Sequence, residues 1–420
     1  MDTIAVVGAS LAGLSATRAL RAAGFEGRLI VIGDEVHDPY DRPPLSKDFL
    51  AGRQEVADLA LTMPSDAELT LEWRLGQCAT ALAARPEGGY LIEVAGGEAV
   101  ACDAVVIATG ARARQLPTAD GAGPLRGVHT LRTLDDALAL RAELVPGARL
   151  VVVGGGFIGA EIASTAHELG VQVTLVELAP TALAGPLGEE LGAVFAALHV
   201  TRGVEVLTGV PVASLTSAGD QSDQGDRVAG VRLADGREVP ADVVLVGIGS
   251  IPNTEWLAGS GVLGAGPDGD LAAGVAITEG GATNLPGVVA TGDCAATYSR
   301  FADRVVRYEH WTNALQHPSL AAATLLGQPA PRQPATAGVP YFWSDQFGLR
   351  LQFAGHYHQG DVVEVVEGDV TTHNFVAVYR RAGRLVAVLG IGQPKIFGRW
   401  RKQLAQNDAV SVGDPAGPAL

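Results

Sequence analysis

The chain has 420 residues, of which 47% are hydrophobic and 18% are charged. A chain of this length and composition folds into about two to four domains, and it is too apolar for a disordered protein. The formal net charge of −16 repels phosphate backbones and therefore argues against general nucleic-acid binding.

The three cysteines, Cys78, Cys102 and Cys294, stand far apart in the sequence. An odd and dispersed set predicts neither a disulfide framework nor a metal site, and it is typical of a reducing compartment. The chain starts directly with a short apolar strand rather than a signal peptide, and no apolar run approaches the roughly 18 residues of a membrane helix. We therefore expect a cytoplasmic protein with no metal site and no membrane partner.

A strand, a glycine-rich turn, a helix and a second strand follow one another at the start of the chain. The apolar run 4–7 leads into Gly8-Ala9-Ser10-Leu11-Ala12-Gly13, a helical stretch follows, and residues 28–33 form the next strand before Asp34. Dinucleotide-binding βαβ units use this order, with the pyrophosphate at the helix N-terminus and the acid on a ribose. Ser10 replaces the middle glycine of the G-x-G-x-x-G pattern, so this copy alone is a weak signal.

The same unit recurs in the middle of the chain with a complete fingerprint. Residues 149–153 form a strand, Gly154-Gly155-Gly156-Phe157-Ile158-Gly159 carries all three glycines, and the strand 171–176 ends at Glu177. A carboxylate at this place accepts hydrogen bonds from the adenosine ribose and repels a 2′-phosphate. No arginine occurs among residues 178–181. We therefore predict that this unit prefers NADH to NADPH.

Two complete units indicate two bound dinucleotides, FAD at the first and a nicotinamide at the second. A glycine-rich turn in an unrelated α/β protein is the alternative for either copy alone, but it explains two copies poorly. A later apolar run, 287–291, leads to Gly292 and Asp293 at a predicted helix start. There Asp293 would bind the ribityl hydroxyls of the flavin, and its alternative role is that of an N-cap residue.

Several longer segments are typical of one family. They are Pro39-Tyr40-Asp41-Arg42-Pro43-Pro44-Leu45-Ser46-Lys47, His129-Thr130-Leu131-Arg132-Thr133, Tyr308-Glu309-His310-Trp311-Thr312-Asn313-Ala314 and Tyr341-Phe342-Trp343-Ser344-Asp345-Gln346. With the two βαβ units, these segments resemble the flavin-dependent NADH–ferredoxin reductases of bacterial oxygenase systems. The nearest types are putidaredoxin reductase, rhodocoxin reductase and the biphenyl dioxygenase ferredoxin reductase; apoptosis-inducing factor is more distant.

The resemblance implies an α/β fold with two Rossmann-like dinucleotide-binding domains of the glutathione-reductase type and a C-terminal α+β domain. The implied FAD domain comprises residues 1–112 and 242–327, the NAD domain residues 113–241, and the C-terminal domain residues 328–420. Residues 335–420 alternate apolar and polar positions, which by itself predicts an antiparallel sheet in this last domain.

The resemblance also implies the residues that contact each cofactor. For FAD these are Gly8, Ala12, Gly13, Asp34, Arg42, Lys47, Ala79, Arg132, Asp293 and Trp311. For NADH they are Gly154, Gly156, Phe157, Ile158, Gly159, Glu161, Glu177 and Gly249. Some relatives carry an arginine near Gly185 that touches the adenosine, and this chain departs from them there. For Trp311 the alternative to a flavin contact is an ordinary core aromatic.

Lys47 and Glu161 are the predicted catalytic residues. In the family the lysine of this motif lies close to the flavin ring and pairs with a glutamate of the NAD domain. A cation there stabilises negative charge on the ring, and the carboxylate keeps the cation ordered. The alternative is a surface ion pair, worth about 0–1 kcal/mol. Because residues 34–50 contain no cysteine, we expect electrons to leave the flavin directly rather than through a dithiol.

The function that follows is transfer of electrons from NADH through FAD to an iron–sulfur ferredoxin that feeds an oxygenase or a cytochrome monooxygenase. We expect a [2Fe–2S] ferredoxin, docking near Trp343 and the basic stretch from Arg381 to Lys402, which has six basic residues and no acid. A solvated helix face is the alternative for that stretch, and ordinary packing of the C-terminal domain is the alternative for Trp343. Alternative functions are a reductase of rubredoxin, oxygen or quinone, or a redox-controlled interaction protein of the apoptosis-inducing-factor type.

Overall fold

The structure is a computed structural model, and it describes residues 1–116, 125–217, 227–334 and 336–409. The chain forms two compact units. The first unit consists of Met1–Asp41, Ala57–Arg112 and Ile251–Phe342. The second consists of Arg42–Val56, Ala113–Ser250 and Trp343–Leu420.

The first unit is built on a parallel sheet of five strands. In spatial order these are Val288–Ala290, Ala104–Ile107, Thr3–Val7, Arg28–Ile32 and Leu71–Arg74. The central strands are buried on both faces, which is why their sequences are continuous apolar runs rather than alternating ones. The helices Leu11–Ala22 and Trp311–Leu325 belong to the same unit and pack against each other.

Two smaller sheets complete the first unit. One is antiparallel and contains Ala79–Ala84, Tyr90–Val94 and Val100–Cys102; the other contains Val275–Ala276, Ala295–Ser299 and Arg304–Arg307. The prediction of a helix after Asp293 was wrong. A short 3-10 turn, Gly292–Cys294, leads directly into the strand Ala295–Ser299, which pairs with Arg304–Arg307. The strand also pairs with Val275–Ala276 on its other side, and this sheet pairing overrides the local signal of a helix start.

The second unit repeats the parallel arrangement. Its five strands, in spatial order, are Glu205–Thr208, Gln172–Glu177, Arg149–Val153, Val243–Val246 and Val128–His129. Its helices in this region are Leu134–Glu143, Phe157–Glu168, Ala184–Leu187 and Glu189–Thr201. An antiparallel sheet is formed by Val212–Ser217, Val228–Leu233 and Glu238–Pro240. The short strands Ala111–Ala113 and Ser250–Pro252 lie where the chain passes from one unit to the other.

The C-terminal part of the chain forms the predicted antiparallel sheet. Its strands, in spatial order, are Tyr341–Gln346, Leu349–Gly355, Arg384–Ile391, Asn374–Arg381 and Val362–Asp369. The helix Pro394–Ala409 packs on this sheet, with Phe397 and Leu404 buried and Phe397 lying over Gly390. Two parallel dinucleotide-binding sheets and a C-terminal α+β part confirm the predicted fold class.

None of the helices in the described ranges is long and apolar enough to cross a membrane.

Candidate active site

The first glycine turn connects the strand Thr3–Val7 to the helix Leu11–Ala22. Gly8 has a φ of +122°, and a Cβ atom there would lie 2.0 Å from the carbonyl oxygen of Ala108. A Cβ atom on Gly13 would lie 1.8 Å from the carbonyl oxygen of Gly8. Both positions therefore require glycine, and they give a tight turn that presents the N-terminus of the helix. No side chain caps this helix N-terminus at Ser10, so the turn fits a pyrophosphate group.

The other predicted FAD residues of the first unit stand near the ends of three different strands. Asp34 is exposed and follows the strand Arg28–Ile32 after one intervening residue, Gly33. Gly292 approaches the turn closely, because its Cβ atom would lie 2.8 Å from that of Ala12, and this brings the neighbouring Asp293 to the same helix N-terminus. Ala79 begins a strand of the antiparallel sheet and packs on the hydrophobic core below it.

Trp311 is the first residue of the helix Trp311–Leu325 and is half-buried. Its indole Nε1–H donates to Asp41 Oδ1 at 2.7 Å. Because Asp41 belongs to the Pro39–Lys47 motif, this bond ties the tryptophan to the most specific segment of the sequence. The contact fixes the orientation of the ring and does not distinguish a flavin contact from a packing role.

The second glycine turn has the same geometry. Gly154 has a φ of +104°, and a Cβ atom there would lie 2.3 Å from the carbonyl oxygen of Gly247. A Cβ atom on Gly159 would lie 2.1 Å from the carbonyl oxygen of Gly154. In contrast, a Cβ atom on Gly156 would meet no atom within 4 Å. The helix Phe157–Glu168 therefore presents an N-terminus with no side-chain cap beside open space, which fits a second pyrophosphate.

Glu177 ends the strand Gln172–Glu177 and is held at this turn by two backbone donors. Gly155 N–H donates to its Oε2 at 2.6 Å, and Ala179 N–H donates to its Oε1 at 2.7 Å. The carboxylate is half-buried and has a fixed position beside the turn. This is the place that the fingerprint predicts for the group that reads the ribose.

Among the other predicted NADH residues, Ile158 and Gly249 are open to solvent, whereas Phe157 is half-buried. Ile158 is 46% exposed. Gly249 has a φ of +101°, and a Cβ atom there would meet no atom within 4 Å. Gly185, where the chain departs from some relatives, is exposed in the short helix Ala184–Leu187.

Lys47 and Glu161 form a buried ion pair inside the second unit. Lys47 Nζ donates to Glu161 Oε2 at 2.6 Å, and the exposed fractions of the two side chains are 15% and 6%. Ser46 Oγ donates to the same oxygen at 2.6 Å, and the Pro43 carbonyl oxygen accepts from Lys47 Nζ at 3.0 Å. A surface ion pair, the alternative considered above, does not describe a pair that is buried in this way.

The second oxygen of Glu161 is also satisfied. Ser344 Oγ donates to Oε1 at 2.8 Å, and Asp345 N–H donates to it at 3.2 Å. Sequence reasoning named neither Ser46 nor Ser344 as a site residue. Both lie in segments that carry the family resemblance, and this position was the one feature of the sequence that pointed to them.

Arg42 and Arg132, two predicted FAD residues, are also brought together in the second unit. Arg42 Nη1 donates to the carbonyl oxygen of Arg132 at 2.6 Å. Arg132 stands just before the helix Leu134–Glu143, where Thr133 and Asp136 form a reciprocal capping box. Asp136 Oδ2 also accepts from Arg132 N–H at 2.9 Å, so the cap fixes the backbone of Arg132.

Cys102 and Cys294 are placed for packing rather than for thiol chemistry, and Cys78 is exposed. All three are free, and Cys102 and Cys294 are buried. Burial raises the pKa of Cys294 and raises that of Cys102 to about 11, so both thiols stay protonated near neutral pH. Within the described residues no group of three or more His, Cys, Asp or Glu side chains is arranged to hold a metal ion.

The second glycine turn permits a test that separates folding from binding. We expect Gly159→Ala to lower the apparent Tm by roughly 2–12 °C, because its Cβ atom would overlap the carbonyl oxygen of Gly154. Gly156→Ala should leave the Tm unchanged but raise the Kd for NADH, because its Cβ atom enters open space and Gly156 has a φ of −72° that alanine accepts. Thermal unfolding and NADH titration measure both; equal Tm values for the two variants would contradict the geometry.

The sequence is similar to known proteins along nearly its whole length. It matches the family model described as pyridine nucleotide-disulphide oxidoreductase over residues 2–317, and the one described as reductase C-terminal over residues 341–419. Putidaredoxin reductase of Pseudomonas putida is 34% identical, over 99% of this chain and 96% of its own length. The ferredoxin–NAD(+) reductase component of the biphenyl dioxygenase system of Paraburkholderia xenovorans is 39% identical, over 90% of this chain and 87% of its own.

A solved structure has the same fold along nearly the whole chain. It is the covalent complex of putidaredoxin reductase with putidaredoxin, which matches with a TM-score of 0.87 and 34% identity, covering 99% of this chain and 97% of that chain. These likenesses confirm the family predicted from the sequence motifs. The chain therefore belongs to the pyridine nucleotide-disulphide oxidoreductase family, and within it to the ferredoxin reductases of oxygenase systems.

Proposed function

We propose that this chain passes electrons from NADH through FAD to an iron–sulfur ferredoxin of the [2Fe–2S] type in the cytoplasm. The coarser statement is confirmed by the family: the chain is an FAD- and NADH-dependent oxidoreductase of the ferredoxin–NAD(+) reductase type. Its relatives are named as reductases of dioxygenase, demethylase and putidaredoxin systems. The proposed electron path through the flavin is supported most directly by the Lys47–Glu161 pair, whose glutamate lies in the helix that begins at the second glycine turn.

Bound FAD supplies the exchange between the two electrons of NADH and the single electrons that a ferredoxin accepts. We propose that the chain holds it with the turn Gly8, Ala12 and Gly13, with Asp34 and Asp293, and with the further predicted contacts Arg42, Lys47, Ala79, Arg132 and Trp311. NADH is held at Gly154, Gly156, Phe157, Ile158, Gly159, Glu161, Glu177 and Gly249. The domain boundaries stated from the sequence stay a prediction.

Lys47 and Glu161 are proposed to act as a unit. The ammonium group stabilises the negative charge that develops on the flavin ring as electrons arrive. The carboxylate holds the ammonium in one position, since it accepts from Lys47 Nζ at 2.6 Å in a site from which water is mostly excluded. Transfer from the nicotinamide needs no acid or base from the protein, so these residues stabilise and position rather than exchange protons.

Only part of the basic stretch from Arg381 to Lys402 forms a candidate docking surface. Lys395, Arg399 and Lys402 are exposed on the helix Pro394–Ala409 at positions i, i+4 and i+7, so they share one face. We call these three residues the basic stripe; no ion pair involves them within the described part of the chain. Arg381 is excluded from it, because Asp361 accepts from its guanidinium at 2.8 and 2.9 Å.

We propose that the basic stripe, together with the half-buried Trp343, contributes to ferredoxin docking. The chain is acidic overall, and ferredoxins of these systems are usually acidic as well, so a local basic surface is needed to attract the partner. Arg401, the remaining basic residue of the helix, is half-buried and does not belong to the exposed face.

A comparison of electron acceptors tests the proposed function. Purified holoenzyme with NADH should reduce a [2Fe–2S] ferredoxin from an oxygenase system much faster than it reduces oxygen, a rubredoxin or a quinone, measured as the initial rate of NADH oxidation with each acceptor. A rate with ferredoxin no higher than with oxygen would overturn the proposal. A flavoprotein with no fast one-electron acceptor would instead be an interaction protein.

Glu177 should set the preference for NADH. We expect Glu177→Ala combined with Leu178→Arg to lower kcat/KM for NADH and raise it for NADPH, changing their ratio about 10-fold or more, because the repelling charge is removed and a cation is added on the 67% exposed Leu178 position. Steady-state kinetics with both cofactors measures the ratio. Glu177→Gln is the matched control, since it removes the charge but keeps a side-chain acceptor near Gly155 N–H. Equal kcat/KM values for both cofactors in the unchanged protein would contradict this assignment.

A further inference from the structure

A series of hydrogen-bonded polar side chains extends from Glu161 into the interior of the second unit. Ser344 Oγ donates to Glu161 Oε1 at 2.8 Å, Gln346 Nε2 donates to Ser344 Oγ at 3.1 Å, and His199 Nε2 lies 2.9 Å from Gln346 Oε1. We call these residues, Glu161, Ser344, Gln346 and His199, the carboxylate relay. They come from two helices and one strand, yet they form one connected series.

Every member of the carboxylate relay is buried. Glu161 is 4% exposed, Gln346 is 2% exposed, and Ser344 and His199 are fully buried. Ser344 and Gln346 are alternate residues of the strand Tyr341–Gln346 and therefore point to the same, inner face. Polar side chains on the inner face of a strand are costly unless their hydrogen bonds are satisfied. A plain packing role would place apolar residues there.

The direction of these hydrogen bonds follows from Glu161. A carboxylate only accepts, so Ser344 must donate its hydroxyl proton to Glu161 and accept from the amide nitrogen of Gln346. Gln346 then offers its carbonyl oxygen to His199, whose Nε2 must carry the proton. Each link therefore donates toward the carboxylate, which also accepts from Lys47 on the other side.

The surroundings of His199 fit a neutral ring with the proton on Nε2. Its Nδ1 is buried with no hydrogen-bond partner among the described residues, and its ring packs on Phe347 with centroids 4.9 Å apart. A proton on Nδ1 would have no acceptor in this environment. Burial lowers the pKa of His199, so the ring stays neutral at pH 7.

We infer that Ser344, Gln346 and His199 are positioning residues that hold the Glu161 carboxylate against Lys47 and so fix the ammonium group. This inference rests on the proposed role of Lys47 in the function above. Hydrogen bonds to a carboxylate stabilise its charged form despite burial, and charge-assisted bonds are among the strongest in proteins. The carboxylate relay thus supplies from the protein interior the donors that water would supply at a surface.

The test is a double-mutant cycle in which the rate of flavin reduction and the midpoint potential of the bound flavin are measured. We expect Ser344→Ala to slow NADH-driven flavin bleaching about 3- to 10-fold in stopped-flow, since one charge-assisted donor to Glu161 is lost. It should also lower the midpoint potential of the bound flavin, because a less ordered ammonium stabilises added charge less well. In a Glu161→Gln background, the same serine change should have no further effect on the rate or the potential.

Ser164→Ala is the matched control for packing. Ser164 is also a buried serine, on the same helix as Glu161, and its Oγ accepts from Phe347 N–H at 2.7 Å without contacting the carboxylate. Its loss should lower the Tm by about as much as Ser344→Ala does, while the bleaching rate and the flavin potential stay at their original values. If the two serine variants change the flavin equally, the relay is only structural and the inference is overturned.

Two further outcomes separate this inference from the proposed function. If Lys47→Ala bleaches at the original rate, the proposed role of Lys47 fails and the inference fails with it. If Lys47→Ala is slow but Ser344→Ala and Gln346→Met are not, the function stands and only the relay is wrong.

A measurement that does not use activity tests the direction of the hydrogen bonds. In protein with ¹⁵N-labelled histidine, His199 should show the neutral tautomer protonated at Nε2, its signals being assigned by their loss in His199→Asn. An Nδ1-protonated or doubly protonated ring at pH 7 would reverse the bond to Gln346 and overturn the relay.

Discussion

NADH should bleach the flavin of Lys47→Ala roughly 10- to 100-fold more slowly than the flavin of the unchanged protein. The reason is electrostatic: a positioned cation in a site with little water stabilises developing charge far more than it would in bulk solvent. Lys47 is 15% exposed and is held by Glu161, Ser46 and Pro43, so its position is set before the cofactor reacts. Stopped-flow absorbance of the holoenzyme mixed with NADH measures the rate.

Two controls separate loss of the cation from damage to the fold. Removing the lysine alone leaves a buried carboxylate without its counter-charge, which destabilises proteins by about 3–5 kcal/mol. The double variant Lys47→Met with Glu161→Gln removes both charges at similar volume, so it should bleach slowly while regaining stability. FAD content should stay the same throughout. A Lys47→Ala protein that binds FAD and bleaches at the original rate would show that the ion pair is purely structural.

Reversing the three charges of the basic stripe should reduce ferredoxin turnover by about the factor expected for flavin bleaching in Lys47→Ala. We expect Lys395→Glu, Arg399→Glu and Lys402→Glu together to lower kcat/KM for an acidic ferredoxin roughly 10- to 100-fold at low ionic strength, because electrostatic steering raises association rates by about this much. The three residues are exposed, and the helix is anchored by Phe397 and Leu404 on its opposite, buried face, so folding should be unaffected.

Two further measurements complete this experiment. They are the dependence of ferredoxin turnover on salt concentration and the rate of reduction of ferricyanide, a small acceptor. Turnover with ferredoxin should fall with salt in the unchanged protein and become nearly independent of salt in the triple variant, since exposed charges are screened over about 10 Å at 0.1 M. Reduction of ferricyanide should survive, because a small acceptor needs no docking surface.

A second triple variant, Arg28→Glu, Arg232→Glu and Arg237→Glu, is the matched control for net charge. It changes the charge equally at exposed positions in the two units. Equal losses in both triple variants would mean that total charge alone controls the rate. Unchanged ferredoxin turnover across the salt series in the basic-stripe variant would mean that docking occurs elsewhere.

The local parts of both cofactor-binding units could be predicted from the sequence. The turns at Gly8 and Gly154, their flanking strands and the terminal acids Asp34 and Glu177 are all encoded within about 30 consecutive residues each. Glycine spacing and short apolar runs carry this information because close contacts such as that between Gly159 and the Gly154 carbonyl group involve residues near in the chain. The alternating pattern after residue 335 likewise predicted the antiparallel sheet.

Contacts between distant segments were decided only by the tertiary structure. Ser344 donates to Glu161 from 183 residues away, and Lys47 does so from 114. The pairing of Lys47 with Glu161 came from the family resemblance. The hydrogen bonds of Ser46 and Ser344 to Glu161 could not be read from a pattern within one segment. Such hydrogen bonds depend on which helix faces which strand, and periodicity within one segment does not encode that.

The same limit explains what the sequence misjudged. The segment after Asp293 became a strand because Val275–Ala276 and Arg304–Arg307 pair with it on its two sides, although its start resembles a helix start. Six basic residues from Arg381 to Lys402 look alike in sequence, but folding pairs Arg381 with Asp361 and half-buries Arg401. Sequence thus determined the two dinucleotide turns and the family, whereas burial and long-range pairing decided which charges face the solvent and which hold Glu161.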